Sequence, residues 1–237
     1  MFNKKNFMFI CRTLAAFTMI SGAFAQDYDM PSIPVPMGPA SSQVQSEREE
    51  VIRLRNRKGD STEGKGESLL CQGCHGEDGN SADSQIPKLA GQYGNYIIKQ
   101  VRNFQLGSRS NEIMSSMAAT ITDNDLYDAA AYYSSQESMQ GSETEANPLG
   151  KKLFSDNSIS ELGLACFNCH GESGHGLERR ISAFPVIGGQ HKDYIRKQLI
   201  DFREGNRSNS PNNIMNRVTA TLTDEQIDAL AEFLASQ

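Results

Sequence analysis

Apolar residues recur at helical spacing in two separate stretches of the chain. In each stretch three large apolar residues stand at positions i, i+4 and i+7. The two sets are Ile97, Val101 and Phe104, and Ile195, Leu199 and Phe202. Each set predicts an amphipathic helix with one apolar stripe turned toward a core. No segment alternates apolar and polar residues with period two over a useful length, so the pattern favours an all-α protein.

Helix-capping signals predict a further helix after each amphipathic one. Thr122 stands three residues before Asp125, and Thr223 stands three residues before Gln226. A threonine followed at this distance by an acidic or amide side chain is typical of a helix N-terminus. We therefore expect the last helix of each region to begin at these threonines.

The two regions are copies of one module. Residues 91–111 align without gaps on residues 189–209, and "IMSSMAAT" then aligns on "IMNRVTAT" after three residues inserted in the second copy. Internal repeats of this kind indicate a duplicated structural unit. The repeat predicts one domain over 61–140 and a second over 148–237, with a polar linker at 141–147 between them.

Charge and composition limit the classes of function that the chain can have. The chain of 237 residues has 23 basic and 29 acidic side chains and a formal net charge of −6. This balance argues against nucleic acid as a partner, since phosphate binding needs clustered Lys and Arg. Two modules this small have weak cores by themselves, and the chain has no tryptophan. A bulky apolar group bound inside each module would compensate for the shortage.

The N-terminal residues 1–25 have the pattern of a secretory signal peptide. Lys4 and Lys5 precede a short apolar stretch, which ends in the small-x-small sequence of residues 23–25. Cleavage after Ala25 would begin the mature chain at Gln26. The sequence thus predicts an exported protein, and the periplasm is the expected compartment.

Residues 26–60 belong to neither copy of the module. The first part is rich in proline, which predicts an extension that is partly disordered. The second part could form one charged helix, which carries a small basic cluster. This cluster could dock a partner, although a solvated helix face is the simpler interpretation. Its members are Arg53, Arg55, Arg57 and Lys58.

The mature chain keeps four cysteines, in two C-x-x-C pairs that are each followed at once by histidine. The two motifs read "CQGCH" and "CFNCH" and comprise Cys71, Cys74 and His75, and Cys166, Cys169 and His170. C-x-x-C-H is the attachment signature of c-type haem. Two thiols about one helical turn apart can add to the two vinyl groups of the porphyrin, and the histidine then reaches the iron. The motifs predict two covalently bound haem c groups.

Two other uses of the cysteines compete with haem attachment. Four cysteines can form a zinc site, but the two pairs lie far apart in sequence and each has its own histidine. A redox-active disulfide usually lies at a strand–helix junction, which the pattern does not predict here. Export, duplication and the paired histidines together favour haem.

The repeat alignment suggests a sixth ligand for each iron. Met215 is the single methionine after Cys169, and it aligns with Met114. Met117 aligns with Val218 and is the weaker alternative in the first copy. Histidine–methionine ligation is known in cytochromes c. Methionines that only fill gaps in a core are the competing interpretation.

The remaining histidines are not repeated between the copies. His175 aligns with Asn80, and His191 aligns with Tyr93. A ligand that both modules need should occur in both, so we expect these histidines to lie on the surface or in loops.

The sequence from about Gly64 to the C-terminus resembles the cytochrome c4 family of bacterial dihaem cytochromes c. The resemblance rests on "CHG", "IPKLAGQ", the repeated Y…KQ…F…G.R.N pattern, the following methionine and the (L/I)TD segment. It implies two tandem cytochrome c-like helical domains, each around one haem. It also implies that Met114 and Met215 are iron ligands, and that Pro87 and Pro185 orient the ligating histidines through their carbonyls. The extension at 26–60 departs from the family pattern and leaves room for peripheral membrane association.

The resemblance implies electron transport rather than enzyme activity. The expected donor is a quinol-oxidising complex or a dehydrogenase, and the expected acceptor is a terminal oxidase. One alternative is the cytochrome subunit of a dehydrogenase complex, such as a sulfide-oxidising flavocytochrome. A dihaem enzyme of peroxidase or thiosulfate-oxidising type needs an open or unusual iron position, for which no cysteine remains.

Overall fold

The computed structural model describes residues 59–142, 145–177 and 184–237. The predicted signal peptide, most of the 26–60 extension and its basic cluster lie outside the described residues. Part of the predicted linker, residues 143–144, also lies outside them.

The described residues contain α-helices and short 3-10 turns, and no strand occurs among them. The helices of the first half are α1 (Ser61–Glu67), α2 (Leu69–His75), α3 (Gly94–Gln105), α4 (Glu112–Ala118) and α5 (Asp123–Ser135). Those of the second half are α6 (Pro148–Phe154), α7 (Phe167–His170), α8 (Lys192–Arg203), α9 (Ile214–Thr219) and α10 (Asp224–Ala235). The all-α prediction is confirmed. The domain boundaries at 61–140 and 148–237 stay a prediction.

The two amphipathic helices and the two capping signals lie where the sequence places them. α3 buries Ile97 and Phe104, and α8 buries their counterparts Ile195 and Phe202. The Thr122 side chain accepts a hydrogen bond from the Asp125 amide at the start of α5. At the start of α10, Thr223 and Gln226 form a complete capping box.

In each half the first and last helices cross through a glycine. A Cβ atom on Gly64 of α1 would overlap the carbonyl oxygen of Asp128 on α5. A Cβ atom on Gly150 of α6 would likewise overlap the carbonyl oxygen of Ala229 on α10. Glycine lets the two backbones touch, and this contact holds the last helix over the cysteine-containing segment.

The two halves have hydrophobic cores of unequal composition. The second half has the more aliphatic core, which includes Leu153, Phe154, Ile195, Ile227, Leu230, Phe233 and Leu234. The first half has a smaller cluster, made of Ile97, Ala130, Tyr132 and Tyr133. A third cluster joins the halves, because Tyr93 and Met139 pack there against Val186.

Two aligned glutamines form reciprocal contacts between the halves. The Gln92 side chain donates to the Val186 carbonyl at 2.8 Å and accepts from the Val186 amide at 3.1 Å. The Gln190 side chain donates to the Lys88 carbonyl at 3.0 Å and accepts from the Lys88 amide at 2.9 Å. Lys88 and Val186 also correspond in the repeat, so the interface has approximate two-fold symmetry.

Two aligned arginines repeat this reciprocal arrangement. The Arg109 guanidinium donates at 2.9 Å to the Tyr194 hydroxyl, which belongs to the second half. The Arg207 guanidinium donates at 3.1 Å to the Tyr96 hydroxyl, which belongs to the first half. These cross-contacts fix the two halves against each other within one compact unit.

Among the described residues, none of the helices has the length and apolar character needed to cross a bilayer.

Candidate functional sites

Both C-x-x-C-H motifs lie on short helices that end at a glycine. In the first half all three motif residues are part of α2, with Cys71 half-buried, Cys74 exposed and His75 buried. In the second half Cys166 is the N-cap of α7, whose last residue is the buried His170. Gly76 and Gly171 follow at φ 85° and 78°, a left-handed conformation that favours glycine and turns the chain away from each helix. In both motifs the helix extends through the histidine.

Each motif histidine is oriented by a proline carbonyl. Nδ1 of His75 lies 2.8 Å from the Pro87 oxygen, and Nδ1 of His170 lies 2.9 Å from the Pro185 oxygen. A carbonyl only accepts, so Nδ1 carries the proton in both rings. Nε2 of each ring is then an unprotonated nitrogen, which is the form that binds a metal. Burial lowers the pKa of both imidazoles and keeps them neutral.

No disulfide joins the four cysteines among the described residues. Burial, with a smaller contribution from Cys74, raises the pKa of the Cys71 thiol. Burial raises the pKa of the Cys166 thiol to about 11. The half-buried thiols of the polypeptide therefore stay protonated near neutral pH, which is the form that adds across a vinyl group.

Large apolar side chains are exposed beside the cysteines. On α2, Leu69 and Leu70 are 68% and 67% exposed. Near the second motif, Leu164 and Phe167 are also exposed. Apolar residues on the solvent side of a cysteine helix suit a large apolar cofactor, which would cover them.

The candidate sixth ligands lie at aligned positions on short helices. Met114 lies on α4, where its amide donates to the Asn111 side chain at 2.9 Å. Met215 lies on α9, where its amide donates to the Ser210 hydroxyl at 3.1 Å. Both side chains are half-buried, and Met117 is half-buried as well. Burial alone therefore does not separate Met114 from Met117.

These features fit a haem c group in each half. The donor set of each half is two thiols one helical turn apart, a neutral imidazole with an unprotonated Nε2, and a methionine at an aligned position on a short helix. Within the described ranges, no three His, Cys, Asp or Glu side chains gather into a group that could hold a metal ion. The two cysteine pairs thus occupy separate sites, one in each half.

The unrepeated histidines have different surroundings. His175 is exposed. His191 is half-buried between the halves, where its Nε2 lies 2.9 Å from both the hydroxyl and the carbonyl oxygens of Ser81. Its counterpart Tyr93 reaches across in the opposite direction and donates to the Leu177 carbonyl at 3.0 Å. His191 therefore belongs to the interface between the halves, a role that its alignment with Tyr93 did not indicate.

Sequence reasoning missed the tyrosines that flank the first motif. The Tyr132 hydroxyl donates to the Glu77 carbonyl at 2.8 Å, and the Tyr133 hydroxyl lies 3.5 Å from the Gly76 carbonyl. In the second half the aligned residues are Phe233 and Leu234. The signal in the sequence was the difference between the two copies at these positions, whereas the repeat analysis used only the residues that the copies share.

Two family models match the two halves. The model for cytochrome c matches residues 148–237. The model for subunit III of cbb3-type cytochrome c oxidase matches residues 66–132.

Relatives with similar sequences cover most of the chain. Cytochrome c4 from Stutzerimonas stutzeri is 40% identical over 198 residues, which cover 78% of this chain and 92% of the relative. A thiosulfate dehydrogenase electron acceptor from Stutzerimonas stutzeri (strain A1501) is 31% identical over 174 residues, which cover 71% of this chain and 79% of the relative.

A solved structure has the same fold. The crystal structure of reduced recombinant cytochrome c4 from Pseudomonas stutzeri aligns with a TM-score of 0.68 at 39% identity. The alignment covers 75% of this chain and 98% of that chain. The similarity therefore extends over both halves of the described structure.

Proposed function

Because the chain belongs to the cytochrome c4 family, whose members are dihaem electron-transfer proteins rather than enzymes, we propose that it carries single electrons between respiratory redox proteins in the periplasm. The protein contains two covalently bound haem c groups and has redox proteins as partners. The proposed donor is a quinol-oxidising complex or a dehydrogenase, and the proposed acceptor is a terminal oxidase. The signal-like residues 1–25 support the periplasmic location.

We assign the attachment and ligand roles residue by residue. Thioether bonds form at Cys71 and Cys74 for the first haem and at Cys166 and Cys169 for the second. The histidine ligands are His75 and His170, and the methionine ligands are Met114 and Met215. The observation that carries the assignment is the repeated histidine–proline hydrogen bond, which turns Nε2 of each ring into the free coordinating atom.

These residues suit electron transfer because they hold the site nearly rigid. When bound, the haem iron supplies a one-electron couple at a potential set by its ligands and surroundings. The thiols would tether the group, the proline carbonyls fix the imidazoles, and Met114 and Met215 would be the second protein ligands of the two irons. A histidine and a methionine bound to each iron would leave no position open for a substrate.

The proposal is tested by the intact mass of the exported full-length protein and the visible spectrum of its reduced form. We expect the mass of the chain after cleavage at Ala25 plus two haem groups, with a reduced c-type spectrum. The Cys71→Ala/Cys74→Ala double variant should lose one haem mass, and the corresponding variant of the second motif should lose the other. A colourless protein with the mass of its amino acids alone would refute the proposal.

A second candidate function is that the protein accepts electrons from a dehydrogenase. It is supported by the 31% identical relative that is itself named a thiosulfate dehydrogenase electron acceptor. A sulfide-oxidising flavocytochrome is another dehydrogenase of this general kind. Rapid mixing of the oxidised protein with a thiosulfate dehydrogenase and thiosulfate would show fast haem reduction if this candidate holds. Fast reduction by a quinol-oxidising complex alone would favour the first proposal.

A further inference from the structure

The two halves differ in polarity directly beside the cysteine helices. In the first half Tyr133 is 1% exposed and Ser68 is fully buried. The aligned residues of the second half are Leu234 and Gly163, which have no side-chain hydroxyl. The duplication therefore gives two equivalent sites that differ in the polarity of their buried surroundings.

The Tyr133 hydroxyl lies among groups of the first C-x-x-C-H site. It is 3.5 Å from the carbonyl oxygen of Gly76, the residue that follows the motif histidine. The phenol also interacts with Ser68 and lies near Cys71, and burial raises the pKa of Tyr133, so the group stays neutral. Cys71 itself packs against the cluster that contains Tyr132 and Tyr133.

The second site has aliphatic surroundings at the same place. Cys166 packs against the core cluster that includes Leu230, Phe233 and Leu234. Leu234 is 3% exposed, so it occupies a buried position like that of Tyr133. The carbonyls of the corresponding residues Gly171 and Gly76 each accept a backbone hydrogen bond, from Gly174 at 3.1 Å and from Gly79 at 3.2 Å. The Tyr133 hydroxyl is therefore an additional polar group beside the first site, and Leu234 supplies no such group beside the second.

We propose that the buried hydroxyl of Tyr133 lowers the reduction potential of the haem held by Cys71 and Cys74, and so separates it from the potential of the haem held by Cys166 and Cys169. The inference rests on the proposed function. An oxidised haem has one more positive charge than a reduced haem, and apolar surroundings disfavour added charge. A polar group beside the site therefore favours the oxidised state, and the hydrophobic shell favours the reduced one.

The proposal predicts the direction of electron transfer between the two haem sites. An electron that arrives at either site rests preferentially at the site of higher potential, which is the second half. The charge of the first half acts in the same sense, since residues 61–140 have ten acidic and five basic side chains. A variant that tests the effect of the Tyr133 hydroxyl must therefore remove the hydroxyl and leave the charge of the protein unchanged.

Tyr133→Phe removes the hydroxyl and keeps the buried ring, so it is the decisive variant. Potentiometric titration of the full-length protein, followed by its visible spectrum, should show two components in the wild type. In Tyr133→Phe we expect the lower potential to rise while the higher one stays in place. Tyr127→Phe, on the same helix, is the matched control and should leave both potentials unchanged.

The reciprocal variant Leu234→Tyr should lower the other component. If this larger side chain prevents folding, the Phe variant decides the question alone. Two unchanged potentials in Tyr133→Phe, or an equal shift of both components, would overturn the proposal. Intact mass and the reduced spectrum show separately whether both haems are attached, so a failed tuning effect is distinguishable from a failed haem assignment.

Discussion

The imidazoles of His75 and His170 show how one hydrogen bond decides the chemistry of a side chain. The Nδ1–H group of each ring donates a hydrogen bond to a proline carbonyl, at 2.8 Å for His75 and 2.9 Å for His170. The bond selects one tautomer and one ring orientation, and burial keeps the ring neutral. The proline nitrogen has no N–H, so Pro87 and Pro185 each contribute a carbonyl acceptor and no backbone donor of their own. The same pair of groups occurs in both halves, which supports an equivalent role for both histidines.

Substitution of the methionines tests the assignment of the sixth ligands. Met114→Ala should remove half of the sulfur-to-iron absorption band of the oxidised protein and lower one of the two potentials, because methionine sulfur favours reduced iron. Met215→Ala should remove the other half. Met117→Ala is the matched control on the same helix and should leave the band intact. Loss of the band in Met117→Ala, with an unchanged Met114→Ala spectrum, would transfer the ligand role to Met117.

At the scale of helices, each half repeats the close crossing of its first helix and its last helix. Gly64 and Gly150 are the points of contact, and neither position has room for a Cβ atom. Both helices of each crossing also have capped N-termini, with Asp60 and Thr122 as caps in the first half. Capping and close contact together place the last helix against the residues around Cys71 and Cys166.

A pair of alanine substitutions on α1 tests this contact. Gly64→Ala should destabilise the protein by about 1–3 kcal/mol, because the new methyl group pushes α1 away from α5. Gly66 has no atom within 4 Å of the corresponding Cβ position. Gly66→Ala should therefore be neutral or stabilise by up to about 1 kcal/mol through helix propensity. Denaturant unfolding measures both, and equal effects of the two substitutions would contradict the close contact.

At the scale of the whole molecule, polar groups rather than a large apolar surface specify how the halves meet. Gln92 and Gln190 are both buried, at 4% and 6% exposure, and each satisfies an amide and a carbonyl of the opposite half. Buried polar groups are costly when unpaired, so the interface is stable only in the register that pairs them. The apolar contribution is the small cluster around Tyr93, Met139 and Val186.

Removal of the glutamines should weaken the coupling between the halves. Gln92→Ala and Gln190→Ala each leave a buried amide and carbonyl without their partner, at a cost of about 1–3 kcal/mol. The double variant should unfold in a broader transition or in two steps, as followed by circular dichroism. Gln85→Ala changes an exposed glutamine in the first half and serves as the control. A double variant that unfolds as sharply and at the same temperature as the wild type would show that the glutamines do not couple the halves.

The sequence predicted the repeated elements well and the interface poorly, for a physical reason. Helices at Ile97 and Ile195, and the caps at Thr122 and Thr223, follow from short-range periodicity and local hydrogen bonding. The contacts of Gln92 with Val186 join residues 94 positions apart in sequence, which periodicity does not encode. The repeated glutamines and arginines were visible in the alignment, but only the fold shows that each copy offers them to the other. The difference between Tyr133 and Leu234 is likewise present in the sequence, but only the structure places Tyr133 beside Cys71.

The reciprocity of the glutamine contacts has a consequence for how such a molecule can arise. A surface whose glutamine fits the backbone of an equivalent surface can associate with a second, unlinked copy of the same half. The peptide that now joins the halves makes this association intramolecular, with an effective concentration on the order of millimolar for a short connection. Dilution therefore does not separate the two redox centres, and the distance an electron must cover between them stays the same in every molecule.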